Sequence, residues 1–157
     1  MDQTKAPDDS HLMYFLGRLE IPPIIPKCLA EGETVRSTEE RIIDNIECAQ
    51  LSGNLPKNSK KSPLVAVNIS HHDIKITSTQ DKKVIDRIAL HKVIQVVSYN
   101  DGFGNYNVIM LVQASGNTQC CYLLQSAIGD AADALCSEVT RVFSSIEQLA
   151  SRSKQTQ

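Results

Sequence analysis

No apolar run in these 157 residues reaches the length of a membrane span. The start, MDQTKAPDDSH, has neither the apolar centre of a secretory signal nor the Arg-rich amphipathic pattern of a transit peptide. These absences predict a soluble, cytoplasmic chain, with the membrane periphery and the nucleus as further locations. Beyond Lys57, Lys60 and Lys61 there is no basic run, and the formal net charge is −2, so nucleic acid is not an expected partner. The 5 cysteines form an odd set without CxxC spacing and several sit inside apolar patterns, which reads as buried free thiols in a reducing compartment. No Ser-His-Asp or Cys-His set stands out, so no enzyme, cofactor or metal is expected. His71, His72, Asp73 and His91 fall at turns without a further ligand at metal-binding spacing and read as solvated. GFGN lacks the following helix that a phosphate cradle needs and reads as a hairpin turn.

What is there reads as one domain, residues 11–150, with a disordered start, 1–10, and a flexible tail, 151–157. The chain is organised around a last helix from Asp130 to Ala150. Its apolar residues Ala132, Leu135, Val139, Val142, Phe143, Ile146 and Leu149 recur every three or four positions and form one stripe. Gly129 is expected to stop what precedes and Asp130 to cap the helix. A first strand is expected at His11–Ile21, ended by prolines. A proline-rich connector follows, in which Ile24 and Ile25 should pack on the core. Ser37 and Glu40 make a capping box for a helix at Thr38–Leu51, stopped by Gly53. From Pro63 to Ser126 the chain reads as six short strands: LVAVNIS, DIKITST, two within VIDRIALHKVIQVVSYN broken near His91, VIMLVQA and QCCYLLQS. The links are too short for crossovers, so the seven strands should be antiparallel. Val108–Val112 is expected to be central, and adjacent Cys120 and Cys121 should give one core and one outward thiol.

The fold class is therefore α+β: a seven-stranded antiparallel bent sheet, a partly open barrel, with a helix after strand 1 and a capping helix at the end. The order strand, helix, six strands, helix resembles the phosphotyrosine-binding (PTB) domain, a variant of the pleckstrin-homology fold. The AQLSGNLP helix end, the RIAL strand junction and the YNDGFG turn, in that order, are similar to the integrin cytoplasmic-domain-associated family. Malcavernin is a more distant likeness, in the early helix and the cysteine pair before the last helix. The resemblance covers Tyr14 to Leu149.

What the resemblance implies is an intracellular adaptor that binds Asn-Pro-x-Tyr-type segments between strand 5 and the last helix. The partners implied are an integrin beta cytoplasmic tail and the Krev-interaction-trapped protein, an ankyrin-repeat and FERM-containing scaffold. VIQVVSY reads as a sheet edge whose backbone groups a peptide strand would complete. The expected contacts are Val93, Ile94, Val96, Val97, Ser98 and Tyr99 on the strand, with Val139, Phe143 and Ile146 on the helix. Ile94 and Val96 are expected to share a face. The arginines are scattered along the sequence, which predicts that phosphotyrosine is not required. The alternative is a pleckstrin-homology-like phosphoinositide headgroup binder, with Lys57, Lys60, Lys61, Lys75, Lys82 and Lys83 as a basic rim.

Overall fold

The computed structural model describes residues 10–22 and 37–155. The acidic start, the proline connector with Ile24 and Ile25, and the side chain of Leu149 lie outside the described residues.

The first strand, β1, spans His11–Ile21 as the sequence predicts. Helix α1 covers Thr38–Ser52. Its capping box is formed: the Glu40 amide donates to the Ser37 hydroxyl at 3.1 Å and the Ser37 amide donates to the Glu40 carboxylate at 3.0 Å. Such a cap is worth about 1 kcal/mol. At the other end Gly53 has φ +88, and the Asn54 amide closes the helix on the Ala49 carbonyl at 2.8 Å.

Six strands follow: β2 Leu64–Ile69, β3 Asp73–Ser78, β4 Val84–Ala89, β5 Val93–Asn100, β6 Tyr106–Gln113 and β7 Gln119–Ser126. A 3₁₀ turn, Leu90–Lys92, breaks the VIDRIALHKVIQVVSYN segment where His91 stands. All pairings are antiparallel, in the order β4-β3-β2-β1-β7-β6-β5. The middle strand is thus β1, and β6, expected to be central, lies one place from the edge. β1 earns that position by length: residues 11–14 pair with β2 while residues 14–21 pair with β7. A bulge between Phe15 and Gly17 bends it there. Only glycine suits that point, because φ is +137 and a Cβ would lie 2.9 Å from the Leu55 side chain.

β4 and β5 are opposite edges of this sheet, about 29 Å apart if it were flat at about 4.8 Å per strand. The turn between Ala89 and Val93 can span at most about 14 Å, so the sheet has to curl. A cross-sheet bond reports the same curvature: the Tyr122 hydroxyl on β7 donates to Asp86 on β4 at 2.6 Å, although three strands lie between them. Arg18 sits above the Tyr122 ring, 5.9 Å from its centroid, and Phe15 stacks on it at 6.3 Å.

Inside the curl, Met13, Val65, Ile74, Met110 and Leu124 meet Leu135, Val139 and Val142 of the last helix, α2, Gly129–Gln155. Outside it, Ile42 and Ile46 of α1 cover Ile109, Leu111, Cys121 and Leu123. Full burial of such a side chain contributes roughly 1.5–3 kcal/mol. Two expectations change here. Cys120 and Cys121 do point to opposite faces, but both are buried, because α1 covers the face that was expected to be wet. Burial pushes the Cys121 thiol up to about 12, and Cys120 is also raised, so both are neutral thiols at physiological pH. The second change is the start of α2. The helix begins at Gly129, so Asp130 lies within the first turn and does not cap it. The Ser126 hydroxyl accepts from the Ile128 amide at 3.0 Å and shapes the approach. A side chain at Gly129 would come within 3.1 Å of the Tyr106 ring. Asp130 still places negative charge at the positive end of the helix.

Candidate functional site

β5 is the last strand of the order, paired on one side with β6 and on the other with no strand among the described residues. α2 packs across the sheet beside it and also touches β1, β6 and β7. β5 is therefore a sheet edge with α2 beside it, the edge position being the one the sequence predicts.

The side chains are distributed differently from the simple alternation. Pairing passes from Val93 opposite Val112 to Gln95 opposite Leu111, so Ile94 is the extra residue of a bulge. Val93 and Val96, not Ile94 and Val96, pack on the inner cluster, and the bulge leaves Ile94 exposed at 48%. Val97 belongs to the outer cluster under α1, and Tyr99 packs on the same side. Desolvation raises the Tyr99 phenol, with Glu47 and Asp101 adding to the effect. Those two residues can offer a peptide their backbone but not their side chains. Ser98 is exposed on the α2 side. Burial raises the Cys136 thiol above its ordinary value, with Ser98 acting in the opposite direction.

On α2, Val139 is 2% exposed and lies in the core, so of the expected helix contacts only Phe143 and Ile146 are half-buried. Sequence reasoning missed Cys136, Ser137 and Thr140, which with Arg141 line a shallow depression of about 390 Å³. At about 100° per residue, Cys136, Thr140 and Phe143 fall within about 60° of one another. That spacing was readable, but polar residues beside an apolar stripe look like ordinary solvent face. A second cavity, about 200 Å³, lies between the β5 end and the first turns of α2, where Ser98, Asn100, Tyr106, Ala132 and Asp133 meet. Beside α2, β5 thus presents half-buried Val96 and exposed Ser98, with half-buried Phe143 on the helix, and among the described residues no strand pairs with its outer side.

Two histidines hold α2 in place. His11 Nε2 lies 2.7 Å from the Glu138 carboxylate, and His71 Nε2 lies 3.4 Å from the Ser145 hydroxyl. Asp73 is engaged by Arg87 at 3.1 Å and by Ser70 at 3.3 Å. The GFGN segment is the β5–β6 hairpin turn, ordered by Asp101, which accepts the Phe103 amide at 2.8 Å. Among the described residues no helix is long and apolar enough to cross a membrane.

Comparison with known proteins adds a family to this geometry. A family model described as beta-1 integrin binding protein matches residues 23–153. Integrin beta-1-binding protein 1 of Mus musculus is 26% identical over 121 residues, covering 75% of this chain and 60% of the relative. The Bos taurus protein of the same name is 25% identical over 121 residues, with the same coverage of 75% and 60%. The chain spans about 60% of the length of the curated relatives it matches.

Proposed function

This chain belongs to the beta-1 integrin binding protein family, and on that footing we propose that it is an adaptor domain that captures an extended Asn-Pro-x-Tyr-type segment along β5. The carrier of that segment is an integrin beta cytoplasmic tail or the Krev-interaction-trapped protein. The relatives at 26% and 25% identity carry the name of an integrin beta-1 binder, which supports the first.

The observation that carries the reading is the position of β5: an edge strand with a helix alongside, bulged at Ile94 and, among the described residues, unpaired on its outer side. Adding a strand there satisfies backbone donors and acceptors at about 1 kcal/mol net per bond. Four such bonds supply about 4 kcal/mol, whereas a micromolar complex needs about 8 kcal/mol. Side chains have to supply the difference, and Val96, Phe143 and Ile146 are the half-buried apolar groups next to the strand.

The test is amide hydrogen exchange with and without an Asn-Pro-x-Tyr peptide from an integrin beta-1 tail, beside a scrambled control. Protection confined to residues 93–99 and to the α2 surface is expected. Protection along the other edge, β4, or equal binding of the scrambled peptide, would remove the groove from the function.

A further inference from the structure

Among the described residues, the β1–β4 half of the sheet's outer face carries no helix. The inner cluster holds Met13, Val65, Val67, Ile74, Ile76 and Ile88, so by alternation Leu12, Tyr14, Leu64, Ala66 and Thr77 point outward. Antiparallel register lines these residues up across the strands. Leu12 stands opposite Ala66, Ala66 opposite Thr77 and Thr77 opposite Val84, with Tyr14 opposite Leu64 alongside. Helix α1 packs on β1, β6 and β7, and the outer cluster beneath it contains no residue of β2, β3 or β4. Leu12 is therefore 55% exposed, Val84 47% and Tyr14 36%.

The rim of this apolar patch is basic. Residues 57–84 contain 6 lysines and 2 carboxylates, in a chain whose overall charge is −2. Lys75 is next but one to Thr77 on β3 and so shares its outward face. Lys82 and Lys83 sit in the turn that leads into Val84, and Lys60 and Lys61 precede Leu64. Lys57 stands beyond Tyr14: its carbonyl accepts from Gln125, the residue opposite Tyr14 on β7, at 3.4 Å. Both carboxylates are engaged, Asp73 by Arg87 at 3.1 Å and Asp81 by the Lys83 amide at 3.1 Å. None of these lysines forms an ion pair among the described residues.

We propose that this face docks an amphipathic helix of a partner protein, apolar along one stripe and carboxylate-bearing at its margins. Exposed apolar patches rimmed by polar residues mark interaction surfaces on soluble proteins. The face spans four strands, about 14 Å at about 4.8 Å per strand, and a helix is about 10–12 Å across, so one helix fills it beside α1. The other half of the same face already seats a helix, through Ile42, Ile46 and Ala49 of α1. Charge selects the occupant. A second copy of this chain would set lysines against lysines, whereas a helix bordered by Asp or Glu complements them. The start of the chain, MDQTKAPDD, brings carboxylates but no apolar stripe. Anionic lipid shares the charge, but the apolar side chains here lie half-covered on a sheet face and not on an element that enters a bilayer. The face shares no residue with β5 or α2, so a helix docked on it and a peptide in the groove do not compete.

The test sorts a display library of randomised helical peptides, about five turns long, on the full chain and on a Leu12→Ser, Val84→Ser variant. Both positions are exposed, so this variant is expected to melt within about 4 °C of the wild type. A second variant, Lys75→Glu with Lys82→Glu and Lys83→Glu, leaves the apolar patch intact and guards against misfolding of the first. Peptides enriched on the wild type are expected to carry an apolar residue every three or four positions and more Asp and Glu than Lys and Arg. A synthesised clone, read by calorimetry, is expected to bind each variant at least tenfold more weakly and to lose affinity as salt rises. Affinity for the Asn-Pro-x-Tyr peptide is expected to be unchanged, and its loss in both variants overturns a separate face. Enriched peptides without an acidic excess, clones that bind both variants as tightly as the wild type, or no enrichment at all overturn the proposal. A wild-type dimer that Leu12→Ser, Val84→Ser dissociates in sedimentation overturns it in favour of a second copy. Anionic vesicles that bind the wild type and not that variant, with no peptide enriched, overturn it in favour of a membrane.

Discussion

Val139 and Phe143 stand one turn apart on α2, and truncating each to alanine should have opposite consequences. Val139 is 2% exposed among core residues. Removing two methyl groups there costs about 1.6 kcal/mol in transfer energy, and the cavity left behind brings the total to roughly 2–3 kcal/mol. In a chain of this size that is a fall in melting temperature of roughly 4–12 °C, with peptide affinity unchanged well below the transition. Phe143 is half-buried at the border of the stripe. A fully buried Phe cut to Ala costs about 3–5 kcal/mol, and with part of the ring already wet the loss should be smaller, about 2 kcal/mol. The open part matters for binding. If about a quarter of its roughly 200 Å² is left for the peptide to cover, the contact is about 50 Å², or about 1.3 kcal/mol at 25 cal/mol per Å². That corresponds to a loss of affinity of about tenfold. The assay is fluorescence polarisation of a labelled Asn-Pro-x-Tyr peptide at a temperature where both variants are folded, beside thermal melts. A folded Phe143→Ala protein with normal affinity, or a Val139→Ala protein that keeps its stability and loses binding, would refute the assignment of core and groove on this helix.

Three further outcomes follow from the same geometry. Ile94→Asp should weaken the peptide complex while shifting the melting temperature by less than about 3 °C, because the bulge already holds this side chain in water; Val97→Asp, aimed under α1, should instead unfold the domain, and the reverse pattern in melts and polarisation would reverse the faces. Tyr122→Phe removes a hydrogen bond to a carboxylate worth roughly 1.5–3 kcal/mol, reduced here because Asp86 is 30% exposed and water can replace the donor. The folded state also holds the Tyr122 proton up to about 12. The unfolded chain gives it up near 10, so this contribution is complete below pH 10 and is lost as pH rises toward 12. Denaturant melts at pH 8 and pH 11 should show the wild type losing more stability than Tyr122→Phe across that window, and parallel losses would disprove the coupling. Phosphorylating the peptide tyrosine should change affinity less than tenfold. Arg141, the cation lining the groove depression, is paired with Glu138 at 3.2 Å, and calorimetry showing a larger gain would place a phosphate site in the groove.

Local chemistry was enough to place most elements. Alternation, proline and glycine located β1 and the six later strands to within a residue or two, since each of those signals acts over a few positions. The capping box of Ser37 and Glu40 and the stop at Gly53 likewise depend on residues a turn apart, and both are formed. The identity of β5 as an edge was also readable, as was the placement of Phe143 at a stripe margin. What the sequence could not determine depends on which elements meet. Whether Cys121 is wet or buried was decided by α1 crossing the outer face, and whether Val97 faces a peptide or the core by the same helix. A one-residue bulge at Ile94 changed which side chains of β5 share a face, and no local pattern announces a bulge that the facing strand induces. Tyr122 and Asp86 became neighbours only because seven strands had to curl for a short 3₁₀ turn to join their two edges. Tertiary closure puts residues together without regard to their separation along the chain, so the sheet edge at β5 was legible while the side chains packed around it were not.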